Sequence, residues 1–450
     1  MRPRVIAVAV ALLSLGFVLR EACCRTGFAN GDFVEYPNEA WRLVFGPADH
    51  LWTPRIERPP LVPRAMAAAL AIASHALGVQ HGWPLLVAMR LVSVLAGLLL
   101  LGVTYRLACA LFDPAAGAAA VVLLALNLRF VDLASETSSE VIGALFVTAS
   151  LLALAAPGRA RTGAAGALLG LAITARYQAL QVAPAMLVAA CVLRGRDALA
   201  FLAGLAVPLA GVLVHDRVFY GDALTSLHVF LARNLAPDAG SDPRWHYLTE
   251  SPHWMGITGP LVFALGLAAI ALRRDARAAL ILVAPFALAF AALTLMAHSK
   301  QLRYAMLITP AGAVVGSAAM ASGRLRRLAV ALIVAGALGS VDRALTRDTT
   351  GFYGAQLDGL EWLARERPYS RVATPIWSLP LVLVDRTRVQ LARFPSAPPE
   401  SLEYVLVPED HPDIGLLSTG GFRDFVPVKR FPGTEAVHVL YRRNPRPGEI

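Results

Sequence analysis

The run WPLLVAMRLVSVLAGLLLLGVTYRLACAL (Trp83–Leu111) decides the fold class. It exceeds the about 20 apolar residues that cross a ~30 Å hydrocarbon core. Similar runs recur on both sides of it. The expected spans are Val5–Leu19, Trp83–Leu111, Ala115–Phe130, Val141–Ala156, Gly163–Leu180, Pro184–Val192, Ala198–Val214, Ile257–Leu272, Ala278–Ala297, Ala305–Ala321 and Leu328–Val341. The chain therefore reads as an all-α polytopic membrane protein with about 11 transmembrane helices. Composition agrees. Of 450 residues 56% are hydrophobic and only 16% charged, and the mean hydropathy is +0.57. A soluble domain carries about a quarter charged residues.

Charge placement orients the spans. Arg159 and Arg161, Arg194 and Arg196, Arg273, Arg274 and Arg277, then Arg324, Arg326 and Arg327 all occupy short connections between apolar runs. With the N-terminus inside, every one of these clusters falls on the cytoplasmic side. The net charge of +10 is thus a membrane-orientation signal, and no nucleic-acid partner is expected. Arg2 and Arg4 precede Val5–Leu19 with no A-x-A-like site after it, which reads as a retained signal-anchor. Cys23 and Cys24 are adjacent, and Cys109 and Cys191 lie in apolar runs, so neither a disulfide framework nor a zinc site is implied. Leu61–Val79 carries Pro63, Arg64, Ser74 and His75, and reads as an interfacial helix on the outer surface.

Residues 1–341 form the expected membrane domain, with a long first outer loop (20–61) and a second outer loop (215–256). Beyond Asp342 the composition changes. A helical stretch at Ala355–Glu366 and β-like runs at Arg371–Ala373, Leu381–Val384, Tyr404–Val407 and Val437–Tyr441 read as a small outward α/β domain, 342–450. Connecting loops are normally short, so the first outer loop asks for a role. It holds Asp32, Glu35, Glu39, Asp49 and Glu57 among Phe28, Phe33, Tyr36, Trp41 and Trp52. Aromatic faces stack on sugar rings, and a carboxylate can take the proton of an attacking hydroxyl. The same loop also reads as a solvated mixture of charges.

A set of ordered motifs sharpens this. Asn30-Gly31-Asp32-Phe33-Val34-Glu35, Glu39-Ala40-Trp41 and Gly46 resemble the first outer loop of the lipid-linked mannosyltransferases that build GPI anchors and dolichol-linked oligosaccharides, members of the GT-C superfamily. Trp52 through Arg58 to Pro63 resembles that family's W-E-W…R-S-x-L-x-P. Asp216-Arg217-Val218-Phe219-Tyr220-Gly221 matches D-x-x-F-Y-G. Pro243 to Glu250, with Trp245, His246 and Tyr247, resembles P-W-H-W-Y-x-T-Q, and Lys300-Gln301-Leu302-Arg303-Tyr304 resembles K-E-x-R-F. The chain departs from the family where H-P-D-E becomes Asn-Gly-Asp-Phe, where the histidine of E-x-A-H becomes Trp41, and where Gln301 replaces glutamate. The family's histidine before the last motif is represented here by His298, one residue displaced.

The resemblance implies a GT-C glycosyltransferase that moves a hexose, mannose in the family, from a polyprenyl-phosphate carrier to a glycan, lipid or protein hydroxyl with inversion. It makes Asp32 the general base, with Glu35 and Glu39 as alternates; an Asx-turn after Gly31 is the other reading of Asp32. Lys300, Arg303 and Arg176 would hold the donor phosphate, Arg as a forked donor and Lys as a compact charge. Arg176 otherwise reads as a snorkelling side chain. Trp41, Arg58, Glu140, Tyr220, Trp245, His246 and His298 would contact sugar or acceptor. Glu140 also reads as a first-turn carboxylate favoured by the helix dipole. No cofactor or metal is expected, because no D-x-D or His-rich cluster occurs and cationic side chains can carry the phosphate. The Ala-, Gly- and Arg-rich composition is compatible with a bacterial inner membrane, which would put the site on the periplasmic side.

A transporter or flippase is the rival from another class, but its internal repeats and mid-membrane ionisable groups are not evident in the sequence. An oligosaccharide ligase or polymerase would share the lipid-linked donor, and a non-catalytic scaffold would share only the spans. Cysteine-accessibility mapping is expected to place positions 31 and 301 on the same, outer face of the bilayer; opposite faces would end the glycosyltransferase reading.

Overall fold

A computed structural model gives the fold. The structure describes residues 2–23, 32–46, 59–235, 245–296, 302–346, 354–375, 383–384, 388–397, 399–409, 411, 413–418, 422–432 and 437–444. The helices run α1 (Pro3–Cys23), α2 (Asp32–Phe45), α3 (Leu61–Leu77), α4 (Trp83–Leu111), α5 (Pro114–Ala125), α6 (Leu128–Ser135), α7 (Ser139–Ala155), α8 (Arg159–Ala175), α9 (Ala183–Arg194), α10 (Ala198–Tyr220) and α11 (Thr225–Leu235). They continue through α12 (His246–Thr249), α13 (Ser251–Met255), α14 (Gly259–Leu272), α15 (Ala276–Ala278), α16 (Ala284–Met296), α17 (Thr309–Ser317), α18 (Arg326–Thr346) and α19 (Gly354–Glu366).

By length and composition, 5 helices among the described residues can cross a membrane, and up to 6 if α5 and α6, bent by 68°, form one broken span. The sequence leads one to expect about eleven. The apolar segments do occupy helices, but several are short, such as α7 and α14, or interrupted. Asn127 breaks the third segment by capping α6: its side-chain oxygen accepts from Arg129 N and Phe130 N at 2.9 and 3.4 Å. Gly195 interrupts the helical stretch Tyr177–Tyr220, with φ of +55°. Large apolar side chains still face outward. Leu91, Leu95 and Leu99 make an exposed stripe at helical spacing on α4, and Leu199, Val207, Val214 and Val218 are exposed on α10. An apolar exterior on long helices is the mark of lipid as solvent.

The chain folds into two compact units. The first comprises Met1–Leu19, Ile56–Val62 and Ser93–Arg347. Lipid gives no hydrophobic drive for helices to associate, so close backbone approach has to supply it. Gly163, Gly166 and Gly170 on α8 meet Gly204, Leu205 and Pro208 on α10, and a Cβ added at Gly166 would strike the carbonyl oxygen of Phe201. Gly266 on α14 meets the backbone of Val315 on α17 in the same way. Ser14 Oγ donates to Ala125 O at 2.7 Å, tying α1 to α5.

The second unit comprises Arg20–Arg55, Pro63–Val92 and Asp348–Ile450. Its C-terminal part holds α19 and a sheet of order β2-β1-β3-β5-β4, from β1 (Ser370–Thr374), β2 (Val389–Arg393), β3 (Tyr404–Pro408), β4 (Phe425–Phe431) and β5 (His438–Arg443). β1 pairs in parallel with β2 and β3, while β5 is antiparallel to β3 and β4. Alternate residues serve opposite faces. Val372, Tyr404 and Leu406 join Leu360 and Leu363 of α19 in one cluster; Ala373, Val405 and Val407 join Phe394, Phe422 and Phe425 in the other. The expected runs at 371–373, 404–407 and 437–441 coincide with β1, β3 and β5. No strand forms at the described residues 383–384 of the 381–384 run, and the edge strands β2 and β4 lack a clear signal. In β4 exposed Lys429 and Arg430 and a register shift after Pro427 obscure the pattern, as edge strands allow.

Part of the first outer loop is helical where its composition suggests a loop. Residues 32–45 form α2 despite Pro37 inside it, and bury Tyr36 and Ala40. One hydrogen bond lost at proline is offset by that apolar face. If the α8–α10 contact carries the bundle, Gly166→Ala should destabilise by about 1–3 kcal/mol through overpacking. Gly211→Ala, where nothing lies within 4 Å of the new methyl, should instead be neutral or stabilising by up to about 1 kcal/mol. Thermal unfolding of the purified variants in one detergent compares the two.

Candidate active site

The site grows from a polar stretch in apolar surroundings. Ser135, Glu136, Thr137, Ser138, Ser139 and Glu140 join α6 to α7, and all are buried. Buried polar groups need partners, and the local folding supplies them. Ser138 caps α7 by accepting from Glu140 N at 3.2 Å, and its hydroxyl lies 2.9 Å from Glu140 Oε2 as donor. Ser93 on α4 accepts from Ser138 N at 3.1 Å. The Glu140 carboxylate is thereby held at the start of a helix, where the dipole favours it.

Two guanidiniums converge on it. Arg176 stands where α8 ends, in extended backbone with φ −158° and ψ 115°, before the 3-10 helix Tyr177–Val182. Arg303 sits in the 3-10 helix Leu302–Leu307. Arg176 Nη1 is 3.0 Å from Glu140 Oε1 and donates to Ser139 Oγ at 2.7 Å. Arg303 Nε is 3.5 Å from the same Oε1. The side chains are 4%, 2% and 3% exposed for Arg176, Arg303 and Glu140. Both guanidinium carbons lie near the Tyr304 ring, at 5.0 and 5.3 Å from its centroid, within cation–π range. Gly143 packs beside Arg176: a methyl there would stand 3.4 Å from the arginine Cβ, in ordinary van der Waals contact.

Two cations share one carboxylate in a low-dielectric environment. Buried ionised groups are costly, and in membrane proteins they mark functional sites. Arg176 Nη2 has no hydrogen-bond partner among the described residues. The arrangement is suited to receive an anion, with forked donors that match phosphate oxygens.

The other expected site residues are dispersed. Asp32 is the first residue of α2. Glu35 is buried, and Glu39 pairs with Arg42 at 2.6 Å on the same helix. Trp41 packs against the core cluster of the C-terminal domain. Tyr220 ends α10 with its ring 5.7 Å from that of His215. Trp245 is exposed, and His246 lies edge-on to Tyr247 at 5.7 Å. Arg58, His298 and Lys300 lie outside the described residues.

The D-x-x-F-Y-G aspartate has a clear structural task. Asp216 is fully buried and accepts from Ser226 N at 2.8 Å and Ser226 Oγ at 2.5 Å, fixing the start of α11, while Tyr177 OH lies 2.5 Å from the same Oγ. Sequence reasoning missed Ser139, Tyr304 and Arg90. Tyr304 follows Arg303 directly, and Arg90 interrupts an apolar run, which was the available signal. A cavity of about 260 Å³ is lined by Asn127, Arg129, Asp132, His253, Leu302 and Arg343 among others.

Comparison with known proteins fits this geometry. Residues 57–215 match the family model of dolichyl-phosphate-mannose-protein mannosyltransferase. The crystal structure of ArnT from Cupriavidus metallidurans bound to undecaprenyl phosphate superposes with a TM-score of 0.66 at 16% identity, over 98% of this chain and 99% of that one. The fold is that of the GT-C membrane glycosyltransferases. The Archaeoglobus fulgidus oligosaccharyltransferase, in complex with Zn and sulfate, shares this GT-C fold at a TM-score of 0.59 and 12% identity, over 97% of this chain and 73% of that one. Mycobacterial arabinofuranosyltransferase AftD gives 0.57 and 17%, over 99% of this chain and 40% of its own. Comparison with curated proteins gave no match.

The sharing of one carboxylate by two guanidiniums predicts unequal variants. Glu140→Gln leaves two guanidiniums facing each other and should destabilise by about 3–5 kcal/mol, the range for breaking a buried pair. Arg303→Met leaves a neutral Glu140–Arg176 pair and should destabilise distinctly less. Unfolding midpoints of both variants in one detergent test that order.

Proposed function

We propose that this protein is a membrane glycosyltransferase that moves a sugar from a polyprenyl-phosphate carrier to an acceptor hydroxyl on the outer side of the membrane. One observation carries the reading: a buried Glu140–Arg176–Arg303 cluster, two guanidiniums on one carboxylate, within a GT-C fold. The family match over residues 57–215 supports it and favours mannose as the sugar. The ArnT structure similar to this one was solved with undecaprenyl phosphate, which favours that class of carrier. The arginine-dense short loops favour the eleven-crossing arrangement, with the first loop facing outward.

In this reading the donor is a phosphodiester bearing one negative charge. Arg176 and Arg303, with Lys300, bind its phosphate oxygens. Asp32 takes the proton of the acceptor hydroxyl while that oxygen attacks the anomeric carbon. The bond from anomeric carbon to phosphate oxygen breaks, and its electron pair leaves with the polyprenyl phosphate. Negative charge therefore grows on the phosphate in the transition state. Fixed guanidiniums in a dry site stabilise that growth without reorganising. Attack opposite the leaving group inverts the anomeric centre. Glu140 keeps the two cations together in the resting protein.

Binding and chemistry can be tested separately. Undecaprenyl phosphate, measured by ligand-induced thermal stabilisation, should bind the wild-type protein, and Arg303→Met should weaken it about 10-fold or more, the worth of a charge-assisted hydrogen bond. Asp32→Asn should keep that binding yet lower transfer from radiolabelled undecaprenyl-phosphate mannose in native membranes by about 10²–10⁴-fold, the scale of general-base catalysis. Undiminished transfer by Asp32→Asn would remove the base from the scheme. Unaltered lipid binding by Arg303→Met would remove the phosphate site.

A further inference from the structure

The C-terminal domain has no part in the chemistry just described, yet one residue connects it to the base. Trp41 lies on α2, nine residues after Asp32, and packs against the cluster formed by Ala355, Leu360, Leu363, Val372, Leu406 and Leu440. This is the cluster between α19 and one face of the sheet. Phe45, one turn further along α2, supports the indole at 5.6 Å between ring centroids. Tyr36 and Ala40 are buried on the same helix, whereas Glu39 and Arg42 pair on a half-exposed side. The amphipathic character of α2 thus directs Trp41 into the domain. Residues Arg20–Arg55 and Asp348–Ile450 accordingly belong to one compact unit.

The chain before α2 is tethered as well. Arg90 on α4 is fully buried and donates to Ala22 O, near the end of α1, at 2.9 Å. A cation at those last carbonyls satisfies acceptors that the helix leaves open. Arg90 also stacks over Trp83 at 5.2 Å. The exit of α1 is therefore fixed by a side chain, and α2 is fixed by its own tryptophan.

We propose that Trp41 is a positioning residue: by seating α2 on the core of the C-terminal domain, it makes that domain the support that aims Asp32. The inference rests on Asp32 being the general base. Its leverage follows from helix geometry. Nine residues at 1.5 Å rise separate Asp32 from Trp41 by roughly 13 Å, so a tilt of about 5° at the anchor displaces the start of α2, where Asp32 stands, by about 1 Å. A displacement of that size costs on the order of 100-fold in rate. An unanchored α2, which is too short to be stable alone, would not hold such tolerance. The role also departs from sugar stacking, for which an aromatic residue in this loop would otherwise qualify.

The test uses the full chain in native membranes or detergent. Trp41→Ala should accelerate amide hydrogen exchange of α2 by about 10-fold or more, as local opening becomes easier. β3 should keep its protection. Transfer from undecaprenyl-phosphate mannose should show kcat reduced on the order of 10–100-fold with KM for the donor within about twofold, since positioning and not donor binding is lost. Trp41→Phe, which keeps an aromatic anchor, should recover most of both readouts. Three results would overturn the proposal: unchanged exchange in α2, a raised KM at constant kcat, or loss of β3 protection together with that of α2. The second would mark a sugar-binding residue and the third a plain core residue of the domain. Asp32→Asn with full activity would refute the base assignment separately, leaving the exchange result to stand or fall by itself.

Discussion

One carboxylate between two guanidiniums, all buried within a helix bundle whose exterior is apolar, sets the terms for the rest of this structure. Glu140 pairs with both Arg176 and Arg303. Bringing such a trio together in low dielectric requires donors and acceptors from several elements at once. Ser138 and Ser139 come from the junction of α6 and α7, Arg176 from the break after α8, and Arg303 with Tyr304 from a 3-10 helix. Each contributor sits at an interruption of a helix. Continuous α-helix keeps its own polar groups satisfied, so only the interruptions present side chains and open backbone to a common point.

The glycine contacts explain how those interruptions stay in register. α8 and α10 approach until the backbones touch at Gly163, Gly166, Gly170 and Gly204. This fixes the level at which α8 ends, and hence the level of Arg176. Gly143 on α7 packs beside Arg176. Asp216 locks the opposite end of α10 to α11 through Ser226, with Tyr177 from the residue after Arg176 joining the same hydroxyl. A motif aspartate that sequence alone aligns with a catalytic family thus serves as a cap and a brace.

The second unit follows a different physical rule. Its sheet buries both faces, so Tyr404–Pro408 is buried without alternation, as in sheets covered on both sides. One of those covers takes in Trp41 from a segment more than three hundred positions earlier in the chain, joining the acidic first loop to the C-terminal domain.

The membrane class, the helical segments and the soluble-type composition after Asp342 were legible from residues alone, because hydropathy over about 20 residues is a local property. The candidacy of Arg176, Arg303 and Glu140 was legible as well, through the ordered motifs and their places at the ends of apolar runs. What a linear reading could not supply was that these three share one oxygen, with Tyr304 beside both cations. Nor could it tell that Trp41 turns into a protein core. Residues 32–45 looked like a charged loop because Pro37 and three scattered acids, Asp32, Glu35 and Glu39, hide the apolar face of α2, which has meaning only against its partner. The number of crossings is a case of the same kind. Hydropathy counts apolar residues, whereas Asn127, Arg176 and Gly195 break the helices through caps and backbone angles that tertiary packing selects.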